Sequence, residues 1–245
     1  MNKRRITLLC LLMLMSLTLT ACQSGPAVEL PQAVSLGPGV PEAISATGDK
    51  LLVVRTLAEH NEGWLISSDG STEEKILEFT SNTFYAGFSP DGKYLAWADE
   101  QLWLAQADGS EQRPLVTAET GIGPLAWSPD STAIAFIRDG EIQITDLAGH
   151  VRTVAAAPES VIQLAWAALP TGEERLFFNS FPAEEPAFVS SMTIDGSDMR
   201  RLAEAEFFAL QGDRLFLADP FEQGQLWSVN AADGSQAELL VESEV

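Results

Sequence analysis

A chain of 245 residues with 46% hydrophobic content holds enough apolar material for one domain with a sizeable core. Fourteen Lys and Arg stand against 35 Asp and Glu, and the net charge of -21 repels phosphate backbones and anionic head groups, which excludes nucleic-acid partners. Six Trp and 20% charged residues argue against disorder by composition, and two cysteines, Cys10 and Cys22, are too few for a disulfide scaffold or a cysteine metal centre.

The first 21 residues read as a leader. Lys3, Arg4 and Arg5 precede an apolar run from Ile6 to Ala21. As a helix that run reaches roughly 24 Å, short of a bilayer core of about 30 Å, so an export signal fits better than a spanning helix. The run ends Leu19-Thr20-Ala21-Cys22, which resembles the lipobox of bacterial lipoproteins. The resemblance implies a diacylglycerol thioether on Cys22, which becomes an acylated N-terminus and anchors far more firmly than a single myristoyl chain. The alternatives are an ordinary secretory signal with an incidental Cys22, or an uncleaved anchor. Residues 22–41 carry Pro26, Pro31, Pro38, Pro41 and Gly25, Gly37, Gly39 without helical periodicity, and read as a tether. The expected division is a leader over 1–21, lipidated cysteine and tether over 22–41, and a folded domain over 42–245. The location implied is a bacterial membrane, either the outer membrane facing the periplasm or the outer face of the cytoplasmic membrane.

From Val40 onward one pattern recurs. Ala86-Gly87-Phe88 is followed by the turn Ser89-Pro90-Asp91-Gly92, the run Tyr94-Leu95-Ala96-Trp97, the run Gln101-Leu102-Trp103-Leu104, the turn Asp108-Gly109-Ser110 and a last run ending at Val116. Four short apolar strands separated by tight-turn residues make one unit. The order repeats from Ile122, Val161 and Glu206, and in degenerate form from Val40. Second-turn glycines fall at Gly70, Gly109, Gly149, Gly196 and Gly234, spaced by 39, 40, 47 and 38 residues. A period near 40 with four strands per unit is the mark of a β-propeller blade. The rival β-sandwich has no need to repeat its turn chemistry in phase. The expectation is an all-β propeller of four-stranded blades with five repeats, six if residues 28–36 supply a further strand.

These residues resemble the WD40-like propeller repeats of the TolB family, sharpest at Phe88 to Gly109 and Trp127 to Phe136. The pattern weakens at 168–173, where an insertion is expected to replace the first turn, and at 146–150, where Asp-Gly is lost. TolB resembles a six-bladed propeller with an extra α/β domain. This chain shows five units and no such domain, so TolB's partner contacts are not carried over.

Few residues offer chemistry. Trp97, Phe136, Phe177 and Phe216 read as one repeat position, and Trp64, Trp103, Phe188 and Trp227 as another, so packing between blades is favoured over a sugar-stacking surface. His60 and His150 sit in expected turns of different blades with no Gly-x-Ser-x-Gly elbow nearby, which argues against a hydrolytic triad. Two separated histidines and no further cysteine argue against zinc, the lack of clustered oxygens argues against calcium, and no cofactor is implied. The Asp-Gly aspartates read as turn chemistry.

The functional expectation is a membrane-anchored, non-catalytic binding or scaffolding module for a protein, peptide or glycan of the cell envelope. The alternative is a propeller enzyme (lyase, lactonase or glycosidase-like) with a carboxylate or calcium site at the central channel. Connections between second and third strands are brief at 98–101 and 138–141 but long at 56–63, 179–186 and 218–225. Long loops on a rigid scaffold are where function concentrates. The candidate rim is Glu59, His60 and Glu62 in the first unit, Phe181, Glu184 and Glu185 in the fourth, and Asp219, Phe221 and Glu222 in the fifth, facing an envelope partner with a basic patch.

Overall fold

The computed structural model describes residues 39–81, 84–119, 121–219 and 225–241. The leader, Cys22, residues 28–36 and most of the tether lie outside these, as do Phe221 and Glu222. The described residues contain no helix and twenty strands in five four-stranded antiparallel sheets, the blades of a β-propeller. Blade 1 is β1 (Val40–Ile44), β2 (Lys50–Thr56), β3 (Asn61–Ser67) and β4 (Glu73–Phe79). Blade 2 is β5 (Tyr85–Phe88), β6 (Tyr94–Ala98), β7 (Gln101–Gln106) and β8 (Arg113–Thr117). Blade 3 is β9 (Leu125–Trp127), β10 (Ala133–Arg138), β11 (Glu141–Asp146) and β12 (Val151–Ala156). Blade 4 is β13 (Leu164–Ala168), β14 (Glu174–Ser180), β15 (Phe188–Thr193) and β16 (Arg200–Glu204). Blade 5 is β17 (Phe207–Gln211), β18 (Arg214–Asp219), β19 (Gln225–Asn230) and β20 (Glu238–Val241). Blade 1 belongs to one compact unit ending at Thr80, and blades 2 to 5 form a second from Ser81.

Within each sheet the strands pair in chain order. The second strands are continuous apolar runs because both their faces are covered: Leu52, Leu95, Ala96, Ile134, Ala135, Phe136, Leu176, Phe177 and Phe178 are fully buried. The fourth strands carry the charge; β4 and β12 are mostly exposed. In the second unit one apolar cluster joins Leu102 and Leu104 of blade 2 to Trp127 and Phe136 of blade 3. A second joins Ile142 and Ile144 to Leu176 and Phe178, and a third joins Phe177 and Val189 to Leu215 and Leu217.

The register corrects the expected aromatic equivalence. Phe88, Trp127 and Trp166 end the same inner-strand run and pair with Leu95, Ile134 and Leu176. Two residues on, Trp97 and Phe136 are therefore matched by Phe178, not Phe177, and in blade 5 by Leu217, not Phe216. A slip of one residue moves a side chain to the opposite face, which strand composition alone does not reveal when both faces are apolar. Trp64, Trp103 and Trp227 do share a position, opposite Val53, Trp97 and Leu217, but Phe188 lies two residues away from it.

Three departures from the repeat resolve into the same geometry. Ser45 opens the degenerate first turn as Ser89 and Ser128 open theirs: each hydroxyl donates to an aspartate (Asp49, Asp91, Asp130) at 2.7 Å and accepts an amide from the next strand. At 168–173 the turn is displaced, not replaced. The pairs Ala167↔Arg175 and Ala168↔Glu174 lengthen the hairpin, and Leu169-Pro170-Thr171-Gly172 closes it with Gly172 N donating to Leu169 O at 2.8 Å. At 146–150 the capping carboxylate moves two residues upstream. Asp146 Oδ1 accepts from Ala148 N at 2.9 Å and His150 N at 3.0 Å.

Blades 2 to 5 are also stapled by arginines. Arg113 donates to Leu147 O, Arg152 to Ile194 O at 3.0 Å, and Arg200 to Ala232 O at 2.8 Å, each reaching a turn of the following blade.

Candidate functional site

Consecutive antiparallel strands place the first and third turns of a blade at one end of its sheet and the second connection at the other. Blade 4 shows this directly. The guanidinium of Arg175, fully buried, donates to Glu173 at 2.7 Å in the first turn and to Asp198 at 3.0 Å beyond the third. It also donates to Ser191 Oγ at 3.1 Å and Asp198 O at 2.6 Å, so every nitrogen of the buried cation is hydrogen-bonded. Nothing in the sequence marked Arg175 as buried.

Four aspartates of the turn end are occupied by their own loops. Asp91 is held down at about 2 by Lys93 and then Ser89, and Asp69 at about 2 by the Ser71 amide. Asp146 and Asp195 also fall to about 2, through the His150 amide and the Thr193 hydroxyl respectively. His150 Nδ1 lies 2.8 Å from Asp146 Oδ2 with its ring largely exposed. These carboxylates are spent on turn geometry, as the Asp-Gly reading expects.

The residues expected to form the rim stand at the opposite end of their own blades, in blade 1 of the first unit and blades 4 and 5 of the second. In blade 1 the strands run further than the loop length suggests. Thr56 pairs with Asn61, and Leu57 N donates to His60 O at 2.9 Å, which closes a four-residue turn. Glu59 is exposed on that turn, and Glu62 stands on β3. His60 Nε2 lies 3.5 Å from Glu62 Oε1 and 3.9 Å from Glu78 Oε2. The donor atoms of these three groups lie within 4.8 Å of one another, a spacing that suits a cation. The ammonium of Lys75 already occupies it, 3.1 Å from Glu62 and 3.2 Å from Glu78, and Lys75 is the main cause of the lowered Glu62 carboxyl.

In blade 4 the long connection spans 181–187 on a fixed base. Asn179, fully buried, accepts from the amides of Ile162 and Gln163 at 3.1 and 2.9 Å and donates to Glu206 O at 2.8 Å. Gln163 carries the network into blade 5 by accepting from Phe208 N at 3.1 Å. Ser180 Oγ donates to Glu159 O at 3.0 Å, and Phe181 N to the same carbonyl at 3.3 Å. Phe181 is half-buried, Glu184 and Glu185 are exposed, and Glu185 accepts from Arg201 at 3.0 Å. Arg201 in turn lies 4.1 Å over the Phe188 ring. Asn179 and Gln163 were not singled out by sequence, because an amide inside an apolar run gives no periodic signal. Asp219 ends β18 opposite Gln225, at the root of the connection that holds Phe221 and Glu222.

No protein-family model and no curated protein matches the chain. Solved structures do match, and they define a β-propeller. TolB from Acinetobacter baumannii superposes with a TM-score of 0.64 at 17% identity, over 84% of this chain and 55% of that one. A putative TolB from Agrobacterium tumefaciens gives 0.61 at 21%, over 84% and 82%. An oligogalacturonate lyase in complex with manganese gives 0.63 at 15%, over 84% and 65%. The chain spans about half the length of the Acinetobacter TolB, and at these identities the likeness is one of fold. TolB-like propellers are thus among its structural neighbours.

Proposed function

We propose that the protein is a non-catalytic binding or scaffolding module of a bacterial cell envelope, anchored through lipid on Cys22, which meets an envelope protein, peptide or glycan through its long connections. The observation that carries this reading is the contrast between the two ends of the blades. The turn-end carboxylates of Asp69, Asp91, Asp146 and Asp195 bond within their own loops, whereas the 181–187 connection stands on a buried amide base and holds exposed Glu184, which engages no side chain among the described residues. Surplus acid on a fixed loop favours a partner with a basic patch, bound less tightly as salt rises. Phe181 and Phe221 supply aromatic anchors, with Asp219 and Glu222 adding charge. Replacing both phenylalanines by Ala should weaken capture of the partner by crosslinking in native membranes while the melting temperature holds. Unchanged capture by that variant, with loss on changing the Asp-Gly turns, would put the site at the other end.

The second reading is a propeller enzyme with a carboxylate or calcium site, supported by the likeness to a manganese-bound lyase. That site belongs at the central channel, so micromolar manganese or calcium binding by calorimetry that persists in Glu62→Gln would favour it.

A further inference from the structure

Among the described residues the fourth strands of the blades are the outer edges of their sheets, and natural proteins guard such edges with charge or proline. One cross-strand position compares all five. Opposite the equivalent residues Trp64, Trp103, Gln143, Ser190 and Trp227 stand Lys75, Pro114, Thr153, Arg201 and Leu239. Four are polar, charged or proline; Leu239 is the apolar exception, 51% exposed. Its neighbour Trp227 is 40% exposed, whereas Trp103 is stacked on Trp97 at 5.9 Å and Trp64 lies under Arg55 at 4.5 Å. Beyond the irregularity between Leu226 and Trp227, Val241 pairs with Leu226 on the other face and is 46% exposed. Its counterparts Leu77 and Val116 are buried. β20 is therefore an edge strand with open apolar side chains on both faces.

We infer that β20 accepts an extended peptide segment as a fifth strand of blade 5, with apolar residues beside Leu239 and Val241 and basic residues at its flanks. Apolar exposure on both faces suits strand addition better than the docking of a helix or a flat surface, which would cover one face. Basic flanks are chosen by charge. The chain carries -21 overall, which also opposes pairing of β20 with a second copy, and Glu238, which opens the strand, keeps its side chain 69% exposed although it lies 3.7 Å from Arg214. This edge is separate from the 181–187 connection, so failure at either site leaves the other testable.

The probe is a fluorescein-labelled peptide alternating Val and Thr between terminal lysines, titrated by anisotropy against the protein. Leu239→Lys copies the guard at Lys75, and Leu239→Thr copies Thr153, so at least one variant should keep the wild-type melting temperature. The expected result is saturable binding that weakens roughly tenfold in the folded variant, equivalent to about 1.4 kcal/mol. Binding should also fall when the lysines become glutamates and vanish when alternate peptide amides are N-methylated, since strand addition needs those amides. No binding to the wild type, equal binding by the folded variant, or equal binding of the N-methylated peptide would overturn the inference. So would a protein dimer in sedimentation that Leu239→Lys abolishes, because it would make a second copy the occupant.

Discussion

Glu42 has no cross-strand partner: it falls between the pairs Pro41↔Val53 and Ala43↔Leu52, at an irregularity in β1. Burial pushes its carboxyl up from 4.5 to about 7. A carboxyl raised by folding costs nothing below its unfolded value and increasingly destabilises as pH rises from about 4.5 to about 7. Glu42→Gln should therefore raise the melting temperature at pH 8 and leave it unchanged at pH 4; equal shifts at both would contradict the argument. The turn aspartates carry the opposite sign. Asp69, Asp91, Asp146 and Asp195 are depressed to about 2, so their contribution is fully present above about pH 4 and lost as pH falls toward 2. Asp195→Asn should lower stability at pH 7 and converge with the wild type near pH 2, checked by thermal melts across that range. His150 fits the same frame as a turn residue held against Asp146, and His150→Ala should abolish no ester or peptide hydrolysis in a substrate panel.

At the scale of elements, the spacing of the second-turn glycines has a steric cause. Gly196 and Gly234 have φ of +84° and +74°, and a Cβ there would lie 2.3 Å from Val154 O and 2.4 Å from Leu202 O, backbone of the preceding blade. Gly92 has φ of +73° but open space around it. Gly92→Ala should cost about 1 kcal/mol through φ alone. Gly196→Ala adds a backbone collision and should cost at least about 3 kcal/mol. Urea unfolding of the two variants checks the ranking; equal losses would mean the blade spacing gives way easily. Because both constraints act on glycine alone, the period near 40 was written in the sequence, and with it the strands and turns. What stayed hidden depends on contacts between blades or on register. The arginine staples from Arg113, Arg152 and Arg200, the buried Arg175 and the Asn179–Gln163 network link residues far apart in sequence, and the Phe177/Phe178 choice turns on a single-residue offset. The long connections were legible as loop length and charge, but in blade 1 the apparent loop proved to be strand ending in a four-residue turn.

For the whole molecule, the proposed anchor and the proposed rim make separate demands. If Cys22 carries lipid, Cys22→Ser should shift the protein from the membrane fraction to the soluble one or leave an unprocessed precursor. A wild-type mature N-terminus with unmodified Cys22 by mass spectrometry would contradict lipidation. The central claim is that a partner meets the 181–187 connection and not the turn end. It is tested most directly by placing a photo-crosslinking amino acid at position 184 in one variant and at position 110 in another, and irradiating intact cells. A discrete adduct is expected from position 184, fading as salt is raised in isolated membranes, and none from position 110. An adduct from position 110 alone, or none from either, would contradict it.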